Sequence, residues 1–100
     1  MVLLESTEKL YTLALNTMRA KNHDYAGENQ KSGLENFELS AHVAKVSIPQ
    51  GILVRTMDKM ARIGNLLDVE AEVKTESLND TIEDAINYLA ILHYSLNKKD

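Results

Sequence analysis

Between residues 78 and 96 the apolar side chains Leu78, Ile82, Ala85, Leu89, Leu92 and Leu96 recur at steps of four, three, four, three and four. A half-buried strand needs a period of two; this period is that of one face of an α-helix. Little elsewhere would break helices, because the 100 residues include four glycines and one proline and the β-branched residues are scattered. The chain therefore reads as all-α, and its length supports a single domain over residues 1–100.

Three further helices are expected ahead of that seam. The first runs from about Leu3 to His23, with Leu3, Leu10, Leu13, Leu15 and Met18 on its apolar side, and Gly27 as a left-handed stop. Ser32 followed by Glu35 has the capping-box spacing and predicts a second helix carrying Leu34, Phe37, Ala41 and Ala44. Pro49 suits a first helical turn and not an interior, so Ser47 or Ile48 opens the third helix, which runs to Leu67 with Leu53, Met57, Met60, Ile63 and Leu67 as its seam. Thr75 is read as the cap of the fourth. Short connections favour antiparallel neighbours, so the architecture expected is a four-helix antiparallel bundle.

Composition restricts what such a bundle can do. Without cysteine it has no disulfide, thiolate metal site or cysteine nucleophile, which suits a reducing cytoplasm. No apolar run approaches the roughly 18 residues of a membrane span, and Met1-Val2-Leu3-Leu4 is too short for a signal peptide, so a soluble cytoplasmic protein is expected. A net charge of −4 argues against a broad basic face for duplex nucleic acid, and five aromatic residues are too few for a platform under long single strands. An acidic protein can still hold a small anion where its few cations converge.

Such a convergence is predicted between the last two helices. Arg55, Asp58, Lys59 and Arg62 share one side of the third, and Glu76, Asp80, Glu83, Asp84 and Asn87 share one side of the fourth. In a hairpin Arg62 falls near Asp80, and Arg55 near Asp84 or Asn87. One reading is an interhelical ion-pair ladder that fixes register. The other is a polar pocket in which Glu76, Asp80 and Asp84 offer oxygen ligands to magnesium while the cations hold phosphate. At the end of the first helix, Lys21, Asn22, Asp24 and Tyr25 add a cation, an amide, a carboxylate and a ring for a base. Walker, dinucleotide-fingerprint, nucleophile-elbow and His-Glu-x-x-His motifs are absent.

The order of these motifs, Lys21-Asn22-x-Asp24-Tyr25, then Arg55-x-x-Asp58-Lys59-x-x-Arg62-Ile63-x-Asn65-Leu66, then Glu76-Ser77-x-x-Asp80-Thr81-x-x-Asp84-x-x-x-Tyr88, resembles a family of small phage and bacterial proteins, the nucleotide-modification-associated domain. That family looks like a distant relative of the all-α nucleotide pyrophosphohydrolases, the group containing MazG and the dimeric dUTPases. The resemblance implies a MazG-like, oligomeric, nucleotide-binding bundle encoded by a phage and acting in the host cytoplasm. MazG-like enzymes hold magnesium on Glu-x-x-Glu and Glu-x-x-Asp pairs. Here the third helix has one acid, Asp58, and neither Glu76 nor Glu83 has an Asp three residues later.

Two functions follow as expectations, beside a purely structural bundle. The first is a homo-oligomer that sequesters a nucleotide, such as an immune signal, without turning it over. In it Lys21, Arg55, Lys59 and Arg62 neutralise phosphate, Tyr25 or Phe37 stacks on the base, and Asn22, Asp24, Asp80 or Asp84 reads base or ribose. The second is a magnesium-dependent nucleoside triphosphate pyrophosphohydrolase with metal on Glu76, Asp80 and Asp84 and Asp58 as base. A chain this small is expected to share its site between subunits.

Overall fold

The computed structural model describes the backbone of residues 2–26, 34–68 and 73–98; the side chains of residues 22–26 and 73–76 lie outside the described set. It contains four helices, α1 (Val2–Ala26), α2 (Glu35–Ala44), α3 (Ile48–Leu67) and α4 (Val73–Asn97), and no strand among the described residues. The all-α expectation holds. Several boundaries differ, each for a local reason.

The predicted end of α1 at His23 is too early, because helix continues through Asn22, His23, Asp24 and Tyr25 to Ala26. Gly27 and Ser32 lie outside the described residues. The N-cap of α2 is Leu34, whose carbonyl accepts from Phe37 N at 2.9 Å and Glu38 N at 3.2 Å. Its side chain is fully buried, so burial and not side-chain capping fixes this start. Lys45 adopts the left-handed conformation (φ 59°) and ends α2, with Val46 N bonded to the Ala41 carbonyl at 3.0 Å and Lys45 N to that of His42 at 3.3 Å. Two residues later Ser47 caps α3 through a reciprocal box: Gln50 N donates to Ser47 Oγ (3.1 Å), and Ser47 N donates to Gln50 Oε1 (2.8 Å). Helix α4 begins at Val73, which places Thr75 inside the helix and not at its cap.

The centre of the molecule is an antiparallel α3–α4 hairpin. Arg62, Lys59 and Arg55 on α3 meet Thr81, Asp84 and Tyr88 on α4, so steps of three and four on one helix are matched by the same steps on the other. Helix α1 docks on α4, with Asn87 Nδ2 donating to the Ala14 carbonyl at 2.9 Å and Thr17 donating to Glu83. Helix α2 folds back on α3, where Gly51 leaves a hypothetical Cβ 3.8 Å from Ala41 Cβ. Among the described residues α1 and α2 do not pack on each other. The bundle is therefore open, and its radius of gyration of 15.2 Å exceeds the roughly 13 Å typical of a compact chain of this length.

The core is correspondingly small. Leu34, Phe37 and Ile52 are buried together, with Ile48, Tyr88, Ile91 and Leu92 packed around them. On α3 the inward row is Ile52, Thr56, Lys59, Ile63 and Leu66. Four of the five residues expected as its seam, Leu53, Met57, Met60 and Leu67, lie one residue further on and are exposed; Ile63 alone faces inward. Polar residues tolerate the inward row because Thr56 Oγ1 donates to the Ile52 carbonyl (2.9 Å) and Lys59 covers apolar surface with its stem while its ammonium reaches Asp84. Leu3, Leu13 and Leu15 of α1 and Leu89 of α4 are likewise exposed, against expectation.

Candidate functional site

Asp84 stands where α1, α3 and α4 converge. Its Oδ1 lies 3.3 Å from Lys21 Nζ and its Oδ2 lies 3.4 Å from Lys59 Nζ. One carboxylate thus holds two ammonium groups from two helices, and this follows from sequence spacing. Lys59 lies on the inward row of α3, while Lys21 is one helical turn beyond Thr17, which already bonds Glu83 on α4. Thr17, Lys21, Asp80, Glu83 and Asp84 line a cleft of about 310 Å³ at this junction.

Along α4 from Asp84 the cations change partners. Arg62 Nε donates to Thr81 Oγ1 at 3.2 Å, and the Thr81 hydroxyl donates to the Ser77 carbonyl at 2.7 Å. Arg55 donates from a terminal guanidinium nitrogen to the Tyr88 hydroxyl at 3.2 Å. The Arg55 guanidinium carbon also lies 5.7 Å from the Tyr88 ring centre and 6.0 Å from that of Phe37, with Lys59 Nζ 5.9 Å over Tyr88. Phe37 and Tyr88 pack edge to face at 6.2 Å. Among the described residues neither arginine has a carboxylate within ion-pair distance. The expected acid–base ladder is therefore half formed: the lysines face Asp84, while Arg62 faces the Thr81 hydroxyl beside Asp80 and Arg55 faces the Tyr88 hydroxyl, beside Asn87 and one turn from Asp84.

The candidate residues distribute as follows. Lys21, Asp80 and Asp84 line the cleft and Lys59 reaches Asp84 from α3, whereas Arg55 and Arg62, on α3 to either side of Lys59, meet Tyr88 and Thr81 and are not among the lining residues. Phe37 is only 7% exposed and belongs to the core, so its faces are occupied by packing and not open to a base. Asn22, Asp24, Tyr25 and Glu76 lie outside the residues whose side chains are described. Sequence reasoning did not place Tyr88 in the site; it packs against the core cluster and also lies under Arg55 and Lys59, whereas Tyr11 and Tyr94 are exposed. The signal was its place one turn after Asp84 on the acidic face of α4. Thr17, Thr81 and Glu83 were missed as well.

Of the expected magnesium ligands Asp80 and Asp84 are described, while Glu76 lies outside the described side chains. Both oxygens of Asp84 are taken by ammonium groups, and among the described residues no three Asp, Glu or His side chains are gathered to hold a metal.

Fold and site together define an all-helical protein with a mixed cationic and acidic cleft at a three-helix junction. In comparisons with known proteins, no family model, no curated protein and no solved structure matches this chain. Among the described residues no helix is long and apolar enough to cross a membrane.

Proposed function

We propose that this chain is a small nucleotide-binding protein, MazG-like in kind and working as a homo-oligomer, that holds its ligand without turning it over. One observation carries the reading. Arg55 and Arg62 are positioned by neutral hydroxyls, and among the described residues neither guanidinium is paired with a carboxylate. A ladder built only for stability gains most where charges of opposite sign meet. A site built for an anion needs donors that are held but not neutralised, and arginine's planar fork matches phosphate oxygens.

The remaining groups divide by chemistry. Lys21 and Lys59 add positive charge beside Asp84, and the ammonium groups that Asp84 holds are free to turn toward a phosphate. Asp80 and Glu83, on the cleft wall, accept hydrogen bonds from ribose hydroxyls or base amino groups. Holding without hydrolysis is favoured because α3 brings a single acid, Asp58, where MazG-like enzymes need a pair. The resemblance to phage proteins adds the biological reading: capture of a nucleotide immune signal in the host cytoplasm.

The test is incubation with a panel of linear and cyclic nucleotides, with and without magnesium, followed by denaturation and analysis of what is released. Recovery of an intact nucleotide supports sequestration. Release of pyrophosphate and a monophosphate replaces it with the pyrophosphohydrolase, magnesium then being required. Retention of no nucleotide leaves the structural bundle.

A further inference from the structure

Helix α1 is held differently from the rest of the protomer. The core residues Leu34, Phe37 and Ile52, with Ile48, Tyr88, Ile91 and Leu92 around them, come from α3, α4 and α2 with its cap, and none comes from α1. Among the described residues α1 packs on α4 alone. Of its described side chains only Ala14 is buried, at 2% exposure, and an alanine takes little apolar surface out of water. Leu10 and Met18 are half-buried, while Val2, Leu3, Leu4, Tyr11, Leu13 and Leu15 are exposed.

Polar ties along one stripe fasten α1 instead. Asn87 Nδ2 donates to the Ala14 carbonyl at 2.9 Å, Thr17 donates to Glu83, and Lys21 Nζ lies 3.3 Å from Asp84 Oδ1. The first two ties are part-buried and the third is exposed, so water replaces each of them at small cost. An element with few buried apolar contacts and wet polar ties opens at a free energy well below that of global unfolding.

We propose that α1 is a gate: it detaches from α4 as a unit while α2, α3 and α4 stay folded, and its docking is what makes the cleft. The lining residues divide between the two parts. Thr17 and Lys21 come from α1, and Asp80, Glu83 and Asp84 come from α4. With α1 detached there is no cleft, and what stays is an acidic stripe on α4 with Lys59 against Asp84. Lys21 is the one cation among the described lining residues, so the docked state is the one that accepts an anion there. An anion held by Lys21 binds the docked state preferentially, and by linkage it draws α1 down over itself. Closure by an anion rests on the nucleotide-binding reading, whereas detachment of α1 does not.

Amide hydrogen exchange of the full chain tests the gate. The amides of residues 10–21 should exchange with one common protection, at least about tenfold below that of residues 52–63 and 81–92. Thr17→Val and Asn87→Ala should each speed exchange in α1 several-fold and leave α3 unchanged. Ile52→Ala, at the buried centre of the core, should do the reverse. Inorganic tripolyphosphate, compared with sodium chloride of the same ionic strength, should slow exchange in α1 several-fold and leave α3 unchanged. Equal protection in α1 and α3 overturns the gate. So does graded fraying from Val2 that leaves Ala14 and Thr17 as protected as Ile52, or an Ile52→Ala variant that speeds α1 as much as α3. Independent opening of α1 that tripolyphosphate does not slow overturns closure by an anion and not the detachment.

Discussion

Arg62 donates its Nε–H to the Thr81 hydroxyl 3.2 Å away, next along α4 from the carboxylate of Asp80. Thr81 is buried and passes its own proton to the Ser77 carbonyl, so it is satisfied whether or not the arginine is present. The bond orients the guanidinium and contributes little to the fold. Arg62→Ala is accordingly expected to lower the unfolding free energy by no more than about 1 kcal/mol, the scale of one ordinary hydrogen bond. Urea denaturation reads this directly, and a loss several times larger would mark Arg62 as a structural residue.

Asp84 behaves differently, because it is the shared partner of Lys21 and Lys59. Asp84→Asn removes one negative charge from beside two ammonium groups. Both ion pairs are partly exposed, so the stability cost should stay within about 1 kcal/mol. Under sequestration, affinity for a phosphate-bearing nucleotide should rise a few-fold and fall off more steeply with added salt. Under hydrolysis the same variant should lose turnover while binding survives.

Ile52 and Leu89 separate core from surface. Ile52 is completely buried between Leu34 and Phe37, and Ile52→Ala should cost about 2–5 kcal/mol. Leu89 is 51% exposed, so Leu89→Ala should cost only about 1 kcal/mol in the dissociated chain. Any larger loss should grow with protein concentration, since a contact between copies stabilises by mass action. Thermal melts at two concentrations distinguish these contributions.

The reciprocal Ser47–Gln50 box fixes the start of α3, which the sequence placed at Ser47 or Ile48. Ser47→Ala should destabilise by about 1 kcal/mol, measured by chemical denaturation. Gln50→Ala should cost less, because it leaves the bond from Gln50 N to Ser47 in place on a wild-type background of that donor.

Periodicity identified the helices but not their partners. The seam read on α3 is a real apolar row, yet it is the row next to the one that packs inside the protomer. A helix with two adjacent apolar rows does not say which of them its own chain covers. Thr56 and Lys59 disguised the inner row, since the hydroxyl is satisfied by the preceding turn and the lysine buries only its stem. The α3–α4 pairing was readable to within one residue, because charged and aromatic side chains at matched steps admit few registers. Tyr88 was harder to place, as a tyrosine on a helix face is equally at home in a core. The boundary of α2 was misread because Leu34 starts that helix by burial, for which sequence offers no capping signal.

The central claim is that Arg55 and Arg62 are held ready for phosphate. Its most direct test is calorimetric titration of the nucleotide retained from the panel into the wild type, Arg62→Ala and Arg55→Ala, each first shown to be folded. Saturable binding by the wild type is predicted, with each variant weaker by about 1.5–3 kcal/mol, the range for a charge-assisted hydrogen bond. No binding of any nucleotide by the wild type, or equal affinity in all three proteins, would contradict it.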